Sequence, residues 1–234
     1  RPRRRGQDDA PGIQPVAGRQ HRLARLQVAA ARPDMGRRPD RVQRHLIALA
    51  AEGPDPEPGT AGRNLERQAI LGSALKRKAV VLARCGKPWA EVAPVLVESR
   101  DAYARCQGTP DSAPGWNPYS YLNRLQLDAL LGATTDLRQE SQTCQDVSAV
   151  RFQQSYDFFD AAMWADAQLA CWLHTGEGSV QALATAYRNA IQGVGATPRE
   201  RESVTAQIRI LGDLLKCRAP GDADRAAALA ALAT

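Results

Sequence analysis

The feature that most constrains this chain is a succession of amphipathic helical stretches between Asn64 and Arg218, with no convincing strand pattern among them. The clearest stretch carries Val180, Leu183, Ala184, Tyr187, Ala190, Ile191 and Val194. That spacing keeps every apolar side chain on one stripe of an α-helix. A chain of such helices buries its stripes by stacking neighbour on neighbour, which favours an elongated scaffold with a binding surface over a closed catalytic pocket. The fold class expected is therefore all-α, a solenoid of about four helical hairpins.

The punctuation places the hairpins. Gly86-Lys87-Pro88 joins a helix over 64–85, with Leu71, Ala74, Leu75, Lys78 and Leu82 on one side, to a helix over 89–107. Val92, Val95, Leu96, Ser99, Tyr103 and Cys106 line the second. After a loop from Gly108 to Trp116, Asn117 is expected as N-cap and Pro118 in the first turn. This helix carries Tyr121, Leu122, Leu125, Asp128, Ala129 and Leu130, stops at Gly132, and is expected to pair with a polar helix over 136–147. The third hairpin starts with Phe152, Tyr156, Phe159, Met163, Ala167 and Ala170 on one stripe and Trp164, Cys171 and Trp172 on another. It ends at Gly176 and returns through the Val180 helix. Thr197, Pro198 and Glu200 make a capping-box start for a fourth hairpin bearing Val204, Ile208, Leu211 and Leu215.

Residues 219–234 form an Ala/Leu-rich tail, expected as a capping helix beyond a repeat domain over 63–218. Residues 1–62 read as a separate basic arm, with disorder expected over 1–16 and short helices near 18–32 and 39–51. Gly53-Pro54-Asp55-Pro56-Glu57-Pro58-Gly59 reads as a semi-rigid spacer. The arm holds 12 Arg against 7 acids, whereas the rest holds 19 Lys plus Arg against 18 acids. The overall charge of +6 is thus mostly the arm's. Such basicity suggests phosphate attraction, the alternative reading of the chain as a nucleic-acid-binding helical protein. The acids dilute that field and no aromatics interleave with the arginines, so nucleic acid is not the partner expected.

Apolar runs are far shorter than the roughly 20 residues that span a membrane, and no signal-peptide pattern opens the chain. The five scattered cysteines read as reduced core residues, and a cytoplasmic location is expected. The chain does not start with Met, so a fragment of a larger protein is expected.

These hairpins resemble tetratricopeptide-type repeats. Leu71-Gly72-Ser73-Ala74-Leu75 matches the small-residue step of the first helix, where Gly72 lets the partner helix approach. Tyr103 and Tyr187 take the aromatic position, followed three residues on by Cys106 and Ala190, and Trp164 stands for the bulky first-helix residue. The two tyrosines lie 84 residues apart, which makes two units of about 42 each, longer than the roughly 34 of the standard repeat. The strings Leu71 to Arg77, Asn117 to Asn123, and Tyr187 to Ala190 followed by Thr197 to Glu200 resemble bacterial proteins akin to the helical regulatory region of stress-responsive kinases. The resemblance implies a scaffold that binds a peptide or partner domain, in some members an effector such as a caspase-like protease on the same polypeptide.

Candidate chemistry is sparse. No phosphate-cradling glycine loop occurs. Cys171, His174 and Glu177 have a spacing that suits a metal, but a structural zinc site needs about four ligands and the other histidines, His21 and His45, lie in the arm. Cys171 or Cys217 with His174 has no motif supplying an oriented base or oxyanion hole. Asp157, Asp160 and Asp166 read as solvated or arginine-paired. No enzyme activity, metal or cofactor is expected. Binding candidates are Trp116, Tyr119 and Tyr121 at a hairpin junction, with loop anchoring as the alternative. Arg100, Arg105, Arg124 and Arg188 are placed to read acidic or carboxylate-ended peptides, with solvated surface charge as the alternative.

Overall fold

The computed structural model describes residues 61–108, 116 and 118–233, so the expectations for the arm, most of the Gly108–Trp116 loop and the Asn117 cap lie outside the described residues. Eight α-helices follow in order: α1 (Ala61–Arg84), α2 (Trp89–Ala104), α3 (Pro118–Leu131), α4 (Arg138–Ser155), α5 (Phe158–Thr175), α6 (Val180–Gly193), α7 (Pro198–Arg218) and α8 (Ala223–Leu232). The described residues contain no strand, and the all-α class holds.

The first hairpin forms as its spacing dictates. Val92, Val95, Leu96, Ser99, Tyr103 and Cys106 are all buried, and α2 packs along α1. Gly72 is the point of closest approach: a Cβ there meets three carbons of the Tyr103 ring at 3.0 Å. Ser99 seals the same contact by donating to the Gly72 carbonyl at 2.6 Å. The buried face of α1 is rotated from the expected one. Lys78 is exposed, and Lys76 lies inward between Leu75 and Ala79.

The middle of the chain departs from sequential hairpins. Helix α3 barely touches α4; its main neighbours are α2 and α5, and α4 pairs with α5 instead. Helix α3 therefore lies at the centre, buried on nearly every face, including the polar Ser120, Asn123 and Gln126. The polar helix α4 can lie against α5 because Ser141, Cys144 and Ser148, spaced 3 and 4 apart, give it a slim inward stripe. The continuous stripe expected from Phe152 through Ala170 is broken. Tyr156 adopts a left-handed φ of 49° and Asp157 caps α5 by accepting from the Phe159 amide at 2.8 Å. The aspartate's competition for backbone donors is the reason the helix restarts there.

Beyond α5 the sequence reading returns. Gly176 ends α5 at φ 72°, α6 packs on α5, and Thr197 and Glu200 complete the capping box of α7. Helix α8 forms from the tail and covers α7 through Ala226 and Leu229. Helix α7 also reaches back to α1. Their meeting is marked by the Arg84–Asp213 ion pair at 2.6 Å.

Two arginines fasten the C-terminal ends of the central helices. Arg218 donates to the carbonyls of Ala129 and Leu130 at the end of α3, and Arg225 donates to those of Trp172 and Leu173 at the end of α5. Both guanidinium groups lie on Asp222, at 2.6 Å and 3.8 Å. Cations at helix C-termini satisfy carbonyls that have no partner within the helix and oppose the negative end of the dipole.

Candidate functional site

Where α1, α3, α5, α6 and α7 converge, a cluster of polar side chains interrupts the apolar core. Its innermost member is Lys76, 3% exposed. The ammonium donates to Asn123 Oδ1 and, at 2.8 Å, to Gln207 Oε1. Gln207 Nε2 donates to Gln126 Oε1 at 2.7 Å, closing a chain of amides that ties α7 to α3. The Tyr103 ring lies beside the ammonium, 5.8 Å from it. One turn back on α1, the Ser73 hydroxyl meets those of Tyr103 at 3.0 Å and Tyr119 at 2.8 Å.

Opposite lies Asp166 of α5, whose Oδ1 accepts from the buried Tyr187 hydroxyl of α6 at 2.7 Å. Gln126 donates to the Asp166 carbonyl at 3.5 Å. Ser73, Tyr119, Asp166 and Gln207 each keep part of their surface open to solvent, while Lys76, Asn123 and Gln126 are closed in.

The electrostatics are unusual for a folding core. Burial, aided by Arg77, lowers the Lys76 pKa to about 7; Asp166 opposes the shift only partly. Burial raises the Asp166 pKa to about 6 against the Tyr187 hydrogen bond and the Lys76 charge. Yet no ion pair joins the two, and among the described residues no carboxylate pairs with Lys76 at all. A buried cation held by neutral acceptors is costly, and groups so perturbed concentrate at sites of recognition or chemistry.

Of the binding candidates read from sequence, only Tyr119 belongs to this cluster. Arg100 and Arg124 are engaged within the fold. Arg124 lies between Asp128, at 2.7 Å, and Glu140, and stacks over Tyr121 at 4.9 Å. Arg100 spans Asp101 at 2.6 Å and Asp128 at 3.7 Å. Tyr121 donates to Glu140 at 2.7 Å, and burial together with that carboxylate pushes its pKa up. Trp116 is buried edge-on against Tyr121, with ring centroids 6.1 Å apart, so both side chains anchor the junction. Arg105 bonds Gln68 at 3.0 Å on the surface, and Arg188 is exposed on α6.

The acids of α5 divide by position. Asp157 caps the helix, Asp160 is buried against Arg151 and Ser155, and Asp166 accepts from Tyr187. Near the end of that helix Cys171 is half-buried and Glu177 pairs with Arg138 at 3.2 Å. Among the described residues no group of three metal-ligating side chains converges, and no helix is long and apolar enough to cross a membrane.

Sequence reading missed Lys76, Asn123, Gln126 and Gln207. In residue order Lys76 opens the basic run Lys76-Arg77-Lys78, so nothing in the sequence sets it apart from its solvated neighbours. No protein-family profile matches the chain, and no curated protein or solved structure matches it.

Proposed function

We propose that this chain is a non-enzymatic interaction module of tetratricopeptide-like architecture that receives a peptide, or a segment of a partner domain, in a cleft around the Lys76 cluster. In this reading the hairpins form a degenerate solenoid wound tightly enough for α7 to meet α1, and its inner wall is the recognition surface. A bacterial, cytoplasmic scaffold serving a larger polypeptide is the setting the reading implies.

The single observation that carries it is the buried Lys76 ammonium, held by two neutral amide oxygens and, among the described residues, by no carboxylate. An apolar side chain of similar length would fill the same space at lower cost. A peptide offers what the cleft lacks. Its carbonyls accept from an ammonium, its N–H groups donate to a carboxylate, and side-chain amides such as Gln126 and Gln207 pair with main chain in either sense. Arg100 and Arg124 act here as braces between helices, so selectivity rests on the cleft rather than on surface arginines.

The test is selection from a random peptide library displayed against the full chain, in parallel with Lys76→Met. Peptides enriched by the unmodified protein and lost with the variant support the reading. Equal enrichment by both proteins, or by neither, overturns it.

A further inference from the structure

The two ends of the helical body are tied through one buried amine. Lys76 Nζ on α1 donates to Gln207 of α7 at 2.8 Å and to Asn123 of α3. Both acceptors are neutral amides, and among the described residues no carboxylate bonds this nitrogen. An ammonium carries three protons and loses its hydration here without gaining a counter-charge. A neutral amine keeps two protons, enough for both amide oxygens, so giving up the third costs neither bond. The closed fold therefore favours the neutral form.

The elements that cover Lys76 are not equally fixed. Tyr103 of α2 is locked, its ring against Gly72 and its hydroxyl on Ser73 at 3.0 Å. Helix α3 is central and buried on nearly every face. Helix α7 packs chiefly on α8 and meets α1 along a shorter stretch. Lys76–Gln207 ties that seam on its inner side, and Arg84–Asp213 ties it at the surface, where an ion pair adds little. Arg218 holds the far end of α7 to the carbonyls of Ala129 and Leu130.

We infer that protonation of Lys76 opens the seam between α1 and α7, which is closed at alkaline pH and loosens as pH falls toward neutrality. The part of α7 around Gln207 lifts, water reaches the ammonium, and the end anchored by Arg218 stays in place. The inference concerns the seam itself and holds whatever the Lys76 cluster binds.

The groups facing Lys76 are Tyr103 from α2, Asn123 from α3, Asp166 from α5 and Gln207 from α7, with Arg77 on its own helix. Arg77 reinforces the preference for the neutral amine, and Asp166 opposes it. Burial brings the Lys76 pKa to about 7 and that of Asp166 to about 6, so the range from pH 9 to 7.5 reports on Lys76. In the open form the lysine regains its ordinary proton affinity. The opening constant should then rise about twentyfold from pH 9 to 7.5, and flatten once the closed form is protonated too.

The experiment is amide hydrogen exchange of the full chain in the cold, read by mass spectrometry at pH 9, 8 and 7.5 and corrected for intrinsic exchange. Protection of α7 amides around Gln207 should fall about twentyfold across this range while those of α5 hold. Lys76→Met should abolish the pH response. Asn123→Asp supplies the missing counter-charge and should keep the seam closed at pH 7.5. If Lys76→Met does not fold, Asn123→Asp decides. Protection of α7 that is constant with pH overturns the proposal, as does a parallel loss in α5, which marks global unfolding. An unchanged pH response in Asn123→Asp overturns it as well.

Discussion

Lys76 on α1 donates a hydrogen bond to Gln207 on α7 at 2.8 Å, across 131 residues of sequence. With Asn123 on α3 as its other acceptor, one buried ammonium joins the first helix, the central helix and the last long helix. Its charge governs how these three helices respond to pH.

The Lys76 pKa is about 7 in the fold, against 10.5 ordinarily. Between those values the unfolded chain holds a proton that the folded chain has released, so stability attributable to this residue rises with pH. Below pH 7 both states are protonated and the full penalty is present. The difference in unfolding free energy between the unmodified protein and Lys76→Met should therefore shift by about 1.4 kcal/mol per pH unit between pH 7.5 and 9. Urea denaturation at pH 6, 7.5 and 9 measures it. A difference independent of pH would show that Lys76 is charged and well solvated in the fold.

Gly72 permits the contact that builds the first hairpin. Alanine is the better helix former by about 1 kcal/mol, yet Gly72→Ala should destabilise by ~1–3 kcal/mol because the new methyl strikes the Tyr103 ring. That ring cannot move freely, since its hydroxyl is bonded to Ser73 at 3.0 Å. Tyr103→Leu should relieve part of the cost, and a double-mutant cycle read by chemical denaturation checks the coupling. Additive effects would mean that the two residues do not touch.

Asp222 aligns the two arginines that close α3 and α5. Its pKa is depressed below the ordinary 3.8, chiefly by the hydrogen bond from Arg218, with Arg218 and Arg225 charges helping against burial. A depressed carboxylate contributes stability that is complete above its unfolded pKa and disappears as pH falls through the folded one. Asp222→Ala should lose ~1–2 kcal/mol at pH 7, and the deficit should shrink as pH falls below 3.8. Thermal unfolding monitored at pH 7 and pH 3 gives the comparison.

Tyr156 is 74% exposed and holds a left-handed φ of 49° at the turn between α4 and α5. A side chain there bears a steric cost that glycine avoids. Tyr156→Gly should therefore raise stability by ~0.5–1 kcal/mol, less whatever the edge contact with Phe152 at 5.8 Å contributes. A lowered melting temperature would assign that aromatic pair a larger role than its exposure suggests.

Much of the local structure was legible in residue order. The Val180 stripe, the α2 stripe from Val92 to Cys106, the Thr197–Glu200 capping box and the Gly176 stop all formed where spacing and cap chemistry placed them. These are local matters: a 3.6-residue period and a side-chain oxygen within reach of a free backbone amide are decided within one or two turns. Even the role of Gly72 followed from its lack of a side chain beside a bulky partner.

Which stripe met which was decided by the tertiary structure alone. Periodicity says that Ser141, Cys144 and Ser148 share a face, but not that this face fits α5 better than α3. The same limit hid the polar cluster, because Lys76, Asn123, Asp166, Tyr187 and Gln207 come from five helices and none is odd enough by itself to declare a site. Burial creates their chemistry, and burial is a property of the assembled fold, where low dielectric turns ordinary charges into costly ones.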